Sequence, residues 1–143
     1  MQQIAPDDEK HYLVYVQKEN ADKASLNCSH LIEQAIDENG PYSLEDILYE
    51  LREGKAQLWL VMSNRQIKAI VVTVIKEFPQ AKVCSVWLCA GSEVQKWLHL
   101  LTQIEDWAKA HKCHAISVSG RSGWEKILAD YQKKNVILEK ILR

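Results

Sequence analysis

Residues Glu105–Leu128 read EDWAKAHKCHAISVSGRSGWEKIL. Trp107-Ala108-Lys109 closes a helical pattern. His114–Ser119 (HAISVS) is a short apolar strand, Gly120-Arg121-Ser122-Gly123 a tight turn, and Trp124 opens a new helix. Helix, strand, turn and helix follow with almost no slack. Such a crossover requires the short strand to run parallel to a strand earlier in the chain.

Upstream, Ala90-Gly91-Ser92 leads into the longest expected helix, about 93–111. Val94, Trp97, Leu98, Leu101, Ile104 and Ala108 recur there at three- and four-residue spacing, giving one face to bury against a sheet. Before it, Gln57–Met62, Ile67–Glu77 and Ala81–Cys89 are apolar runs separated by Ser63-Asn64-Arg65-Gln66 and Phe78-Pro79-Gln80. Asn tolerates positive φ and Pro interrupts a ladder, so an antiparallel meander is expected. Earlier still, His11–Gln17 is a strand candidate. A helix over about 22–38 carries Cys28, Leu31, Ile32, Ala35 and Ile36 on one face and ends at Asn39-Gly40-Pro41. Ser43 caps a second helix striped by Leu44, Ile47, Leu48 and Leu51, with Asp46 at its positive end and Gly54 as its stop.

Downstream, Ser122 and Glu125 fit a capping box for a helix over about 123–131, lined by Trp124, Ile127, Leu128 and Tyr131. Asn135–Leu142 (NVILEKIL) is the closing strand candidate. The expected order is β-α-α-β-β-β-α-β-α-β, an α+β arrangement on a mixed sheet flanked by helices.

Composition bounds the function. The 143 residues carry 18 basic and 19 acidic side chains, a formal net charge of −1, and 47% are hydrophobic. That suits one domain over 1–143, with 1–9 as a flexible extension. The charges are scattered, so nucleic acid is not an expected partner. No apolar run reaches 18 residues, so no membrane span is expected. The N-terminus MQQIAPDDEKHY is polar and acidic rather than a signal peptide, which points to a cytoplasmic location.

Cys28, Cys84, Cys89 and Cys113 form no CxxC pair. In a reducing compartment they are expected to pack as small hydrophobes. Cys84 and Cys89 lie five apart on one strand, which places them on opposite faces. His111-x-Cys113-His114 with Cys28-x-His30 supplies zinc-ligand types, but the spacing crosses a helix end and its side chains diverge, so no metal is expected. Among five tryptophans, Trp97 and Trp124 have core-facing phase and Trp87 can join them; Trp59 and Trp107 are candidates for an interface.

This order of elements resembles the GNAT superfamily of acyl-CoA N-acyltransferases over about His11 to Leu142. The segment with Trp107-Ala108-Lys109, Cys113 and Gly120-Arg121-Ser122-Gly123-Trp124 is similar to small GNAT-like proteins encoded by tailed bacteriophages. The resemblance implies that Ala81–Cys89 splays from His114–Ser119 and that the pantetheine arm of acetyl-CoA lies in the gap. It implies cofactor contacts at Leu88, Cys89, Ala90, Gly91 and Ser92, with the pyrophosphate on the backbone N–H groups of Ala90 to Glu93. Arg121 either clamps a phosphate or partner carboxylate, or pairs with Glu125.

The family loop Gln/Arg-x-x-Gly-x-Gly/Ala appears here as Cys89-Ala90-Gly91-Ser92-Glu93-Val94, with one glycine, no preceding base and an acidic first turn. A carboxylate there opposes a nearby pyrophosphate. The strand Ala81–Cys89 holds no carboxylate to serve as base. Tyr131 stands one turn later than the family's tyrosine acid, and Cys89 is the one thiol close to where a thioester would come. Both are the catalytic candidates. The implied activity is acetyl transfer from acetyl-CoA to an amine. A catalytically inactive GNAT-fold protein with a protein partner or a second copy as its target, in the host cytoplasm or the virion, and an acyl-thioester sensor are the other readings.

Overall fold

A computed structural model describes residues 10–36, 40–120 and 123–142. The expected extension 1–9, Arg121 and Ser122 lie outside the described residues.

Five strands form one sheet in sequence order: β1 (Tyr12–Val16), β2 (Gln57–Ser63), β3 (Gln66–Phe78), β4 (Ala81–Gly91) and β5 (Ala115–Val118). β1 to β4 are antiparallel and β5 runs parallel to β4, as the crossover requires. The β2–β3 turn holds Asn64 at φ 51° and Arg65 at φ 62°. Two consecutive positive φ values match a two-residue hairpin to the right-handed strand twist.

On one face lie α1 (Ala21–Leu26), α2 (Ser29–Ala35) and α3 (Leu44–Arg52). Ile32, Ile47 and Leu51 pack there against Leu58, Ile70 and Val72. The other face carries α4 (Val94–Trp97), a 3-10 turn (Leu98–Leu100) and α5 (Leu101–Ala110). Ile104 and Ala108 cover Trp59, Val71, Cys84 and Val86. α6 (Gly123–Ile127) follows β5.

Several expectations are corrected. The helix expected over 22–38 breaks at Asn27-Cys28, where Cys28 takes φ −137°, its N–H donates to the Ser25 carbonyl, and its buried Sγ donates to the Ala24 carbonyl. The helix over 93–111 begins at Val94 and tightens at 98–100, where Trp97 pins its indole N–H on the Ser92 carbonyl at 2.9 Å. The last helix stops at Ile127 rather than Tyr131.

Asn135–Leu142 pairs with no described strand and stands exposed. Strand-forming composition becomes a strand only where a ladder partner and a covering layer exist. The sheet edge formed by β5 has four residues, about 13 Å at roughly 3.3 Å per residue.

Cys84 and Cys89 share a face instead of opposing each other. The register steps from Thr73↔Val86 to Val72↔Leu88, so Trp87 is an extra residue on β4. That bulge shifts the alternation by one position.

Candidate active-site cleft

The site is built by an early end to one ladder. β4 and β5 pair only from Val83↔Ala115 to Val86↔Val118. β4 then continues to Gly91, still paired with β3 through Ala69↔Gly91. Beyond Val86 the β5 side of β4 has no strand neighbour among the described residues, and the gap is a cleft of about 280 Å³. Its walls are Cys89, Ala90 and Gly91 of β4, Val94 and Trp97 of α4, and Gly123, Trp124 and Ile127 of α6. A smaller void beneath continues inward between Val71, Val86, Leu101 and Val118. Both are walled mainly by apolar groups, the inner void entirely so, which suits an apolar chain.

The backbone at the mouth is fixed by packing. Gly91 has φ 147°, and a Cβ there would stand 2.3 Å from the Ala69 Cβ and 2.6 Å from the Lys68 carbonyl oxygen. Only glycine permits this approach. The Ser92 N–H donates to that same Lys68 oxygen at 3.4 Å. Glu93 follows at φ 55° and its carboxylate meets the Lys96 ammonium at 3.3 Å, both side chains near half exposed.

The expected site residues divide accordingly. Cys89, Ala90 and Gly91 line the cleft. The Leu88 side chain is buried on the opposite face with Val72. Ser92 stands at the mouth with its N–H directed at Lys68. Tyr131 does not line the cleft; its hydroxyl donates to Glu105 Oε2 at 2.7 Å. Burial, that hydrogen bond and the neighbouring carboxylate push the phenol pKa well above its ordinary value. Burial pushes the Cys89 thiol up to about 12, so it is protonated and weakly nucleophilic at neutral pH. Among the described residues Cys89 is the one titratable group on the cleft wall.

The lining residues Val94, Trp97, Trp124 and Ile127 were legible as apolar positions on inner helix faces. Their role as cleft walls follows from the splay. Trp59, an interface candidate by sequence, is a core residue: its indole donates to Thr73 Oγ1 at 3.0 Å, and that hydroxyl donates to Gln57 at 2.8 Å. Trp107 stacks edge-on against it at 5.2 Å, and Tyr15 completes the cluster. Among the described residues no three His, Cys, Asp or Glu side chains converge on a point that would hold a metal ion. Among the described residues no helix is long and apolar enough to cross a membrane.

No protein-family model matches the sequence, and no curated protein does. Solved structures do. An aminoglycoside acetyltransferase from an uncultured soil metagenomic sample, in complex with sisomicin, superposes with a TM-score of 0.67 at 10% identity, over 93% of this chain and 97% of that one. A predicted acetyltransferase with acetyl-CoA from Clostridium acetobutylicum gives 0.65 at 14%, over 92% and 96%. A GNAT family acetyltransferase of Staphylococcus aureus gives 0.62 at 17%, over 93% and 99%. The splayed parallel pair, the meander and the two helical layers together are the GNAT fold, and this chain has that fold.

Proposed function

We propose that the protein is an acyltransferase that takes an acetyl group from acetyl-CoA to an amine. The observation that carries this reading is the apolar cleft opened where β4 leaves β5 after Val86. The walls fit the pantetheine arm. Backbone groups on the free side of Trp87–Gly91 suit its amides, as a strand edge suits an extended peptide. Trp97, Trp124 and Ile127 give its methylene chain apolar contact. The bound thioester supplies an activated acyl carbon.

In transfer, the nitrogen lone pair of a neutral amine forms the C–N bond, the C–S bond breaks, and the thiolate leaves with the electron pair. The amine proton passes to water, since no carboxylate or imidazole lines the cleft among the described residues. The protein's contribution is then positioning and exclusion of water. Cys89 stays protonated and forms no acyl-enzyme.

A second reading, a GNAT-fold protein without catalysis that binds another protein, is favoured by the mouth. The Ser92 N–H is already used by Lys68, the Glu93 carboxylate opposes a pyrophosphate, and Tyr131 is turned to Glu105. The likeness to phage-encoded proteins belongs with this reading, and with it a virion or host-cytoplasm location.

Calorimetric titration of acetyl-CoA and CoA separates the two. The enzyme reading expects binding that Ile127→Asp weakens at least tenfold. It also expects Glu93→Gln to tighten binding about fivefold, the effect of removing roughly 1 kcal/mol of like-charge repulsion in water. Thiol release on an amine panel then identifies the acceptor. No heat at millimolar ligand in either protein removes the enzyme reading.

A further inference from the structure

The cleft and the void beneath it divide an acyl thioester between them. The phosphates of a nucleotide donor stay at the open end, where Gly91, Ser92 and Glu93 are exposed, because the apolar walls offer nothing to offset their desolvation. From Gly91 the free side of β4 runs inward to Val86, about 16 Å at roughly 3.3 Å per residue. The path ends where the ladder closes, at Val86↔Val118. Those two valines are walls of the inner void, together with Val71 of β3 and Leu101 of α5. A thioester held by an arm along β4 therefore turns its acyl end to this void.

The void measures about 20 Å³. One water-sized sphere needs at least about 10–15 Å³, so there is room for a single small group and no second one. Behind it the layer is closed: Ile104 and Cys84 are buried in the same cluster as Val71 and Val86. We infer, resting on the acyltransfer reading, that this void is an acyl-length stop, in which Leu101 and Val118 admit the methyl of an acetyl group and exclude longer or charged acyl chains. Both side chains are only partly buried, so they bound the void without anchoring the core. One more methylene forced into a filled apolar pocket is worth roughly tenfold or more in discrimination. Charge is refused for a different reason. Among the described residues no Lys, Arg or His lines either cavity, so a carboxylate at the end of the acyl chain would be buried without a partner. The donor class is a short, uncharged acyl thioester.

Calorimetric titration of acetyl-, propionyl-, butyryl- and succinyl-CoA into the full chain tests this without knowledge of the acceptor. Acetyl-CoA is expected to bind tightest, with affinity falling about tenfold for each added methylene. Succinyl-CoA is expected to be weaker than butyryl-CoA. In Leu101→Ala the stop is withdrawn, and butyryl-CoA is expected to bind at least as tightly as acetyl-CoA, while succinyl-CoA stays weak because no cation has been added. Should Leu101→Ala not fold, Val118→Ala on the edge strand β5 widens the same void and carries the same expectation. Equal binding of the acetyl and butyryl thioesters in the unaltered chain, succinyl-CoA binding as tightly as acetyl-CoA, or an order of preference unchanged in the widened variant overturns the inference and leaves the acyltransfer reading standing. No heat with any of these thioesters removes that reading, and this inference with it.

Discussion

Gly91 illustrates how a residue singled out for one reason is required for another. In the sequence it marked a phosphate loop; in the fold it is where β4 presses on β3, with φ 147° and no room for a Cβ against Ala69. Gly91→Ala is expected to cost roughly 3 kcal/mol, combining backbone strain and overpacking, read as a lower urea midpoint at unchanged slope. A midpoint within error of the unaltered protein would mean β3 and β4 separate easily there. Arg65 presents the opposite case. It occupies the left-handed region without being glycine, which costs roughly 1–2 kcal/mol. Arg65→Gly relieves that strain but frees the unfolded chain, so a net gain of about 0.5 kcal/mol is expected. A loss on the same urea assay would show that the Arg65 side chain has a stabilising contact.

Among the elements, α3 is the one whose beginning is written most clearly. Ser43 Oγ accepts from the Asp46 N–H at 3.3 Å, and Asp46 Oδ2 accepts from the Ser43 N–H at 2.8 Å. The sequence placed the cap and the favourable charge; the returning hydrogen bond makes it a reciprocal box. Ser43→Ala is expected to cost about 1 kcal/mol, and Asp46→Ala a similar amount. Because each serves the other, the double variant should cost clearly less than the two together. Strict additivity in thermal melts would show that the two caps act independently. Other elements were less legible. Cys28, Leu31, Ile32, Ala35 and Ile36 keep a single helical phase, so nothing in the periodicity announces the break at Asn27-Cys28. The strand β4 alternates plausibly from Ala81 to Cys89, yet the bulge at Trp87 is decided across the ladder, where Val86 pairs with Thr73 and Leu88 with the adjacent Val72. A one-residue slip of that kind moves Cys89 from one face to the other.

For the whole molecule, the meander and the parallel crossover were readable because turn residues punctuate them at Asn64-Arg65 and Pro79-Gln80. The cleft was not readable from local pattern, since it arises where a ladder with β5 stops, a contact between residues far apart in the chain. The same distance hid the Trp59–Thr73 hydrogen bond, whose partners belong to different strands. This two-layer arrangement has a consequence for pH. Cys28 is sealed under α1 and α2, while Cys84 and Cys89 lie beneath the α4–α5 layer. Burial raises these thiols to about 11, 11 and 12 from an ordinary 9.0. Below pH 9 each is protonated in both folded and unfolded chains, so it has no effect on stability. Above pH 9 the unfolded chain loses protons that the folded chain retains, and unfolding becomes progressively favoured. The melting temperature is therefore expected to hold level up to pH 9 as far as these thiols are concerned, and to fall between pH 9 and 11. Cys28→Ala and Cys89→Ala should each flatten that fall. One relieves the layer under α1 and α2, and the other the cleft wall. A decline just as steep in the double variant would assign the alkaline loss to other groups and leave the buried thiols without a part in it.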